Sequence, residues 1–539
     1  MEQLAGKLSK KFTKIEKSWI MYDWANSIYA TNIMAAIFPI YFGIISTDLG
    51  DKVFGYAVSL ANLIIAVLAP MLGAIGDFTG MKKKLFTAFV AIGVVFTGAM
   101  AFVNDWQWML VGYVLSRIGF SGSCLFYDSF LTDVTTPARM DRVSSWGYAA
   151  GYIGGSTIPF IISIAVMMLM EQSVLSYKIA ILIVVVWWTI FSIPFLKNVK
   201  QVHSVEEPPA RLAKAAFKNA VKTFRDIVKD KRILTFILAY FFYIDGVDTI
   251  ISLATKYGNT LGLGTIGMIL ALLVTQIVAV PFSILFGNLA KKVGGIRMIS
   301  IAVAVYFVIT ILGFGMGQNV EPYLHQYNTQ LSAAVEGVSF ADGKDNKVWL
   351  EVVEDVKSGG RDLLASDARG EEFAAMIDVL QTGIADAENG KYAFTSAAAR
   401  ENAVAAVSNI EADLGGLMND ASSLKALQDH RGVSSILFWA LAVLVGTVQG
   451  GIQALSRSYF GQLIPPERSN EFYGFLDIFG KFSCVIGPAL YSLVYSLTDR
   501  SSLGILSIIL LFLAAGVTLI VGRKHLRRAP DEAVPSPEA

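Results

Sequence analysis

Two aspartates three residues apart, Asp245 and Asp248, lie inside a run of more than twenty mostly apolar residues. In a helix that spacing puts both carboxylates on one face. Two close carboxylates in a low-dielectric setting titrate as a coupled pair, which suits a proton carrier or a site for a substrate amine. The alternative is a structural pair bonded to neighbouring helices. Arg117, within Arg117-Ile-Gly-Phe-Ser-Gly122, is a second intramembrane charge. A guanidinium stays protonated and grips carboxylates bidentately, so Arg117 can hold a substrate carboxylate, bias a nearby acid or form a buried pair. Asp477 and Lys481 are spaced i,i+4 and either neutralise each other or leave Lys481 for a cavity. Gln449, Gln453 and Arg457 form an i,i+4,i+8 stripe, and Asn26, Ser27, Asn32, Asn62 and Gln276 add polar groups to other apolar runs. Such amides contact substrate or join helices.

These residues need a scaffold that tolerates charge among apolar side chains, since one charge at a bilayer centre costs roughly 2.5–3.5 kcal/mol on insertion scales. The composition describes that scaffold. Of 539 residues, 54% are hydrophobic, 16% are charged and 47 are glycine, and the mean hydropathy is +0.55. A soluble chain averages about 25% charged residues. The 44 basic and 43 acidic residues nearly cancel, which argues against nucleic acid as a partner. Cys124 and Cys484 have no metal-ligand spacing, so neither a disulfide framework nor a metal site is expected, and no cofactor is implied. His203, His325, His430 and His525 all fall outside the apolar runs, which disfavours a histidine proton relay.

A spanning helix needs about 20 apolar residues. The runs are 19–44, 53–76, 85–103, 107–131, 143–169, 178–196, 233–256, 264–286, 298–316, 434–458, 472–496 and 503–521, twelve in all. The fold class expected is an all-α membrane protein. Asp245 and Asp248 then lie about 18–22 Å from one end of span 7, near the midplane. Twelve spans put both termini on one side. The basic segments (Lys82-Lys83-Lys84, Arg139, Arg142, the 197–232 linker, Lys291-Lys292, Arg523 to Arg528) share that side, so the positive-inside bias makes both termini cytoplasmic. The 197–232 linker carries an amphipathic stretch suited to the inner membrane surface. Residues 317–433 hold 19 carboxylates against 9 basic residues and read as an outer helical insert, with 523–539 as a disordered tail. The expected organisation is thus 1–196, the six-helix N-terminal half; 197–232, the linker; 233–316 and 434–522, the two parts of the C-terminal half; and 317–433, the insert.

An internal repeat orders the spans. Gly73-Ala-Ile-Gly-Asp77-Phe-Thr-Gly80 after span 2 recurs as Gly287-Asn-Leu-Ala-Lys291-Lys-Val-Gly294 after span 8, an offset of 214. Pro137-Ala-Arg139 and Pro159 recur as Pro466-Glu-Arg468 and Pro488, an offset of 329. The difference, 115, is close to the length of the insert, so the fold closes without it. Replacing 320–431 by a short Gly/Ser linker is therefore expected to leave a folded twelve-span protein.

The Gly-x3-Asp-x2-Gly-x-Lys-Lys loop resembles the signature loop of the major facilitator superfamily, and Gly147-x3-Gly151-x2-Gly154-Gly155 with Pro159 resembles its glycine-rich fifth span. Tyr22-Asp23-Trp24-Ala25-Asn26-Ser27, Phe126-Tyr127-Asp128 and Asp245-Gly246-x2-Thr249 are similar to the vacuole-effluxer-like branch, typified by fungal autophagy-related vacuolar amino-acid effluxers. The resemblance implies that Asp77 cross-links the cytoplasmic ends of the halves, near a basic loop residue (Lys83) and an acid ending span 4, which by position is Asp128 or Asp133. Arg457 is the repeat counterpart of Asp128, so opposite charges occupy symmetric places, and Asp23 and Asp477 join them as gate candidates. The large insert departs from the family pattern.

The reading that follows is a secondary transporter, not an enzyme, working by alternating access in a bacterial inner membrane. No GxxxxGK[ST] phosphate loop is present, so ATP is not expected to drive it. A small charged or zwitterionic metabolite, an amino acid or small peptide, fits the charges, with protons as coupling ion. The rival is a membrane receptor or scaffold that presents the insert to a protein partner.

Overall fold

The computed structural model describes residues 11–336 and 421–526, except positions 47, 172, 206–211, 262, 264 and 499, together with isolated positions between 378 and 408. Among the described residues, twelve helices are long and apolar enough to cross a membrane. They are Lys14–Ile45, Val53–Gly76, Met81–Met100, Trp106–Val134, Pro137–Leu169, Val174–Asn198, Lys231–Gly258, Leu270–Val293, Gly295–Pro322, Asp429–Leu463, Pro466–Thr498 and Ser501–Val521, numbered spans 1 to 12. No strand occurs among the described residues. Each expected apolar run falls within or overlaps one of these helices.

Each half has its own apolar core. One gathers Trp19, Tyr22, Tyr29, Phe38, Tyr113, Tyr127 and Trp188; the other gathers Phe236, Tyr243, Tyr306, Phe460, Tyr491 and Phe512. Outward-facing apolar side chains remain uncovered, among them Phe102, Val186, Leu497 and Val521. In water such surface would drive aggregation, and in a bilayer it is the lipid contact. The repeated loops have a shared cause. Gly80 (φ 72°) and Gly294 (φ 97°) both take left-handed backbone, where a β-carbon is strained, so glycine recurs at both turns.

Two spans contain turns wider than those of the α-helix. Tyr29–Ala35 in span 1 and Gly151–Thr157 in span 5 are π-helical, and they pack against each other. Apolar periodicity does not reveal such wide turns, which often mark functional positions.

The linker forms a helix, Leu212–Lys229, against spans 2, 7 and 11. Its face of the bundle is here called the linker side, and the opposite one the insert side. The insert boundaries shift from those expected. The span 9 helix runs on to Glu336, and the span 10 helix begins at Ala421. Asn319 donates to the His430 carbonyl (2.9 Å) and to Ser434 (3.2 Å), so residues assigned to the insert belong to the helical bundle. The rest of the predicted insert, its Ala-rich stretches 371–389 and 396–429 in the main, and the tail beyond 526 lie outside the described residues.

Candidate functional site

The most heavily bonded intramembrane group is Arg457, on span 10. It is 5% exposed. Its Nη2 donates to Asp23 of span 1 (3.0 Å) and its Nη1 to Asp128 of span 4 (3.0 Å). Its Nε donates to Ser144 Oγ of span 5 (2.9 Å), and Nη2 also reaches the Ser144 carbonyl (3.1 Å). The guanidinium lies 4.6, 5.3 and 4.5 Å from the ring centroids of Trp19, Tyr127 and Tyr148. One cation of the C-terminal half is thus clasped by two carboxylates and three aromatic faces of the other half. Buried charges need such pairing, and cation–π contact adds attraction where water is excluded. The glycines of span 5 make room: a β-carbon at Gly147 would lie 3.1 Å from Arg457 and press into the Asp23 carboxylate, and one at Gly154 would enter the Trp24 ring. The motif around Asp23 and the glycine stripe are two faces of one contact.

A second lock sits at the linker-side ends. Asp77 is 1% exposed. Its carboxylate accepts the backbone N–H groups of Asn470 (2.9 Å) and Glu471 (3.0 Å) and the Asn470 side-chain amide (2.7 Å). It therefore caps the start of span 11, where unpaired N–H groups and the helix dipole favour an anion. Beside it Lys82 donates to Asp133 (2.7 Å) and to Ser469 of span 11 (2.9 Å). It is Lys82, not Lys83, that reaches across: Lys83 donates to the Val199 carbonyl within its own half (2.7 Å). Both acids offered for the end of span 4 are used, in different locks. Asp133 meets Lys82 and Asp128 meets Arg457. Asp133 also accepts the His203 ring Nδ1–H (3.1 Å), a bond that raises the affinity of His203 for its proton. Burial pushes the Asp77 carboxyl up to about 7, against the opposing pull of Lys82.

The third cross-half contact uses a residue that the sequence reading passed over. Asp141, at the start of span 5, accepts from Ser458 (2.6 Å) and Gln462 (2.9 Å) of span 10. Its repeat counterpart at the offset of 329 is Asn470, the very residue that meets Asp77, so extending the repeat by a few residues would have found it. Lys82, Ser144 and Trp19 carried no comparable signal.

The midplane candidates sit in different surroundings. Asp245 is fully buried and accepts the Gly487 N–H of span 11 (2.9 and 3.1 Å to its two oxygens) and, weakly, Thr249 (3.4 Å). Gly487 precedes Pro488, where the helical ladder is already interrupted. Asp248 is half-buried, one turn further on. Asp477 and Lys481 pair with each other along span 11. Arg117 donates to Asn62 of span 2 (3.1 Å) and to the Tyr113 hydroxyl (2.9 Å), and both partners are neutral. Asn26 donates to Cys124 Sγ (3.6 Å). Asn32, within the π-helical stretch of span 1, donates to Ser163 (2.8 Å), while its Oδ1 is buried without a partner among the described residues. Gln276 and Gln449 line one apolar cavity of about 100 Å³ within the C-terminal half, with Tyr257 and Phe438. Gln276 Oε1 likewise has no partner among the described residues. Gln453, one turn on from Gln449, is half-buried.

The chain matches known proteins in sequence and in fold. The family described as "Vacuole effluxer Atg22 like" matches residues 51–337 and 433–530. The Bacillus subtilis (strain 168) protein called an uncharacterized MFS-type transporter, YxiO, is 33% identical over 526 residues, 95% of each chain. Autophagy-related protein 22-1 of Penicillium rubens is 44% identical, but over 62 residues, 12% of this chain and 10% of that one. Among solved structures, the major facilitator superfamily transporter FucP in its outward conformation superposes with a TM-score of 0.55 at 10% identity, over 96% of this chain and 99% of that one; at that identity the likeness is one of fold. Twelve spans in two halves, the matching family and a relative similar over nearly the whole length agree: the chain belongs to the vacuole effluxer Atg22-like family, built on the major facilitator fold.

Proposed function

We propose that this protein is a secondary active transporter that moves a small charged or zwitterionic metabolite, an amino acid or small peptide in the first instance, by alternating access. The observation that carries the reading is the concentration of cross-half bonding at one end. The hydrogen bonds that join the halves at Asp77, Lys82, Ser129, Asp141, Ser144 and Arg457 lie in the linker-side portion of the spans. A gate fastened by polar bonds can exchange them for water, whereas a fused apolar seam cannot open so cheaply. With the basic linker side in the cytoplasm of a bacterial inner membrane, this state is closed inward, and the insert faces outside.

Arg117 supports the substrate class. It lies about midway along span 4, its hydrogen-bond partners Asn62 and Tyr113 are both neutral, and a guanidinium so placed accommodates a substrate carboxylate. Asp248 and Asp245 stand on the other half and supply the complementary charge for an amine or a coupling proton. Protonating Asp245 would weaken its bond to Gly487 and loosen span 7 from span 11, a route from proton binding to helix movement.

The test is flux into proteoliposomes with labelled amino acids and dipeptides, with and without an imposed pH gradient. Arg117→Gln should abolish saturable uptake, and Arg117→Lys should not restore it, because an ammonium lacks the planar fork. Asp248→Asn should remove gradient-driven accumulation and leave exchange. Accumulation unchanged in an Asp245→Asn/Asp248→Asn double variant would sink proton coupling through this pair, and absence of flux for every charged metabolite tried would sink the transport reading.

A further inference from the structure

The linker helix Leu212–Lys229 presents three distinct faces. Ala216, Ala220, Thr223 and Ile227 are buried against the bundle, at 0, 7, 0 and 2% exposure. Phe217, Val221, Phe224 and Val228 are exposed, at 60, 38, 51 and 49%. At 3.6 residues per turn this second stripe lies about 100° around the helix from the buried one. Lys214, Lys218, Lys222, Arg225 and Lys229 are also exposed and form a third stripe about 90° further round. The single acid of the helix, Asp226, is taken up by Arg468 at 2.7 Å, so the outward charge is entirely basic.

We propose that this helix docks on an anionic bilayer surface, its Phe217–Val228 stripe among acyl chains and its basic stripe on lipid phosphates. The helix is held at the linker-side ends of spans 2, 7 and 11, which is where a bilayer around the twelve spans has its interface. An apolar stripe with a basic stripe at right angles to it is the signature of a helix lying in that interface, rather than of one covered by water alone. Phe224 also approaches the ring of Phe475, a buried residue of span 11 (6.0 Å), so the stripe starts at the edge of the bundle's own apolar core. The docking reaches the gate. Arg468 binds Asp226 and Thr223 on the helix, and Thr223 binds Glu471, the residue whose N–H meets Asp77. Lipid that holds the helix down therefore holds the start of span 11 under the Asp77 cap.

The experiment uses the full chain with both cysteines replaced by alanine and single cysteines carrying an environment-sensitive fluorophore at Phe217, Val221 or Lys222. The protein is reconstituted in phosphatidylcholine vesicles, with or without one part in four phosphatidylglycerol. Probes at 217 and 221 should be quenched by lipid brominated on its acyl chains, and the probe at 222 should not. Hydrogen exchange over 212–229 in the unlabelled wild type should slow on adding the anionic lipid, and the slowing should fade as salt rises, a measurement that needs no variant. Each basic residue near the surface contributes about fivefold to anionic-lipid preference, so Lys214→Gln/Lys218→Gln/Lys222→Gln/Arg225→Gln should lose that preference by at least tenfold. Probes at 217 and 221 that an aqueous quencher reaches equally in both vesicles would overturn the proposal and leave a soluble protein as the occupant of the stripe. Exchange that is indifferent to anionic lipid at low salt would overturn it equally.

Discussion

The two ends of the bundle use the same device to opposite effect. On the linker side, a carboxylate of the N-terminal half, Asp77, caps a helix of the C-terminal half, span 11. On the insert side, Glu321 of span 9 accepts the Ser502 N–H (2.6 Å) and the Ser501 hydroxyl (2.8 Å) and so caps span 12, within its own half. Gln318 adds a bond to Ser502 (2.7 Å). In the other half, Lys178 donates to Asn104 (2.6 Å), again internally. A carboxylate on a helix N-terminus is stabilising in both places. Of these two caps the linker-side one joins the halves, so under the transport reading proposed above its strength would set an equilibrium between conformations, while the insert-side cap would contribute to folding alone. The comparison breaks if a linker-side change alters stability without altering which side is accessible, or if an insert-side change does the reverse.

Arg457→Met should have the largest effect. It leaves Asp23 and Asp128 buried without a cation, and removing one partner of a buried pair costs about 3–5 kcal/mol. In a Cys484→Ala background, native Cys124, half-buried one turn beyond Asp128, should react many times faster with an impermeant thiol reagent applied from the linker side, alongside a lower Tm. Adding Asp23→Asn and Asp128→Asn should recover much of the Tm without resealing Cys124. Resealing would show that the pair supports the fold and not the gate.

Asp77 comes next, and its effect depends on pH. In the closed state burial holds its carboxyl up at about 7; freed into water it returns to about 3.9. The closed state therefore binds the proton more tightly. Acid favours closure, fully below about pH 4, and this contribution is lost as pH rises through 7. Within that window one linked proton changes the closed-to-open ratio by at most tenfold per pH unit. Spin labels at Lys84 and Lys292, one on each half, should move apart as pH rises from 5 to 8. Asp77→Asn should flatten that response, with His203→Gln as the control for the neighbouring titrating group. An unchanged pH response in Asp77→Asn would assign the proton elsewhere.

Glu321→Gln tests the other end. It should cost about 1–2 kcal/mol as a lost charged cap, read as a lower Tm, with the spin-label distance unmoved. The same contact revises the deletion expected from the repeat. Replacing 337–420 by a Gly/Ser linker should leave the Tm within a few degrees of the intact chain, whereas replacing 320–431 also removes Glu321 and should match or exceed the Glu321→Gln loss.

Much of this architecture is legible in the residues, for identifiable reasons. Span number follows from apolar length, which a bilayer dictates directly. The pairing of halves follows from Gly80 and Gly294, because left-handed backbone selects glycine twice. The opposition of Asp128 and Arg457 was visible as repeat counterparts of opposite sign, and they turn out to be bonded. What one sequence does not carry is the direction in which a side chain leaves its helix. Lys82 and Lys83 are adjacent and chemically identical, and only the helix phase after Gly80 sends the first across to span 11 and the second to Val199. Asp245 and Asp248 share a face by spacing, yet packing turns Asp245 onto the Gly487 N–H. Glu321 looked like one more charge of an acidic insert, since its partners, Ser501 and Ser502, are 180 residues away.

Lys291 offers the finest test, because it is the repeat counterpart of Asp77 and should matter least. By position it stands to Asp141 as Asp77 stands to Asn470. Its side chain is exposed, and Asp141 already has two neutral donors, Ser458 and Gln462. An exposed cation near an acid so satisfied contributes little, because water screens the attraction and the long side chain loses freedom when held. Lys291→Gln should therefore change the Tm by no more than about 0.5 kcal/mol equivalent and leave the Lys84-side labels, paired with a neighbouring site such as Lys292, at their wild-type distance. Asp141→Asn should fall between Lys291→Gln and Asp77→Ala, since both bonds reach one oxygen, Oδ1, and an amide oxygen there keeps them at reduced strength. The ordering is the point. If Lys291→Gln opens the linker side as far as Asp77→Ala does, the two repeated loops contribute equally and the gate is symmetric. If it does not, the cap on span 11 alone biases closure, and the sign difference between Asp77 and Lys291 reflects one loop that grips a helix end and one that only rests beside its partner.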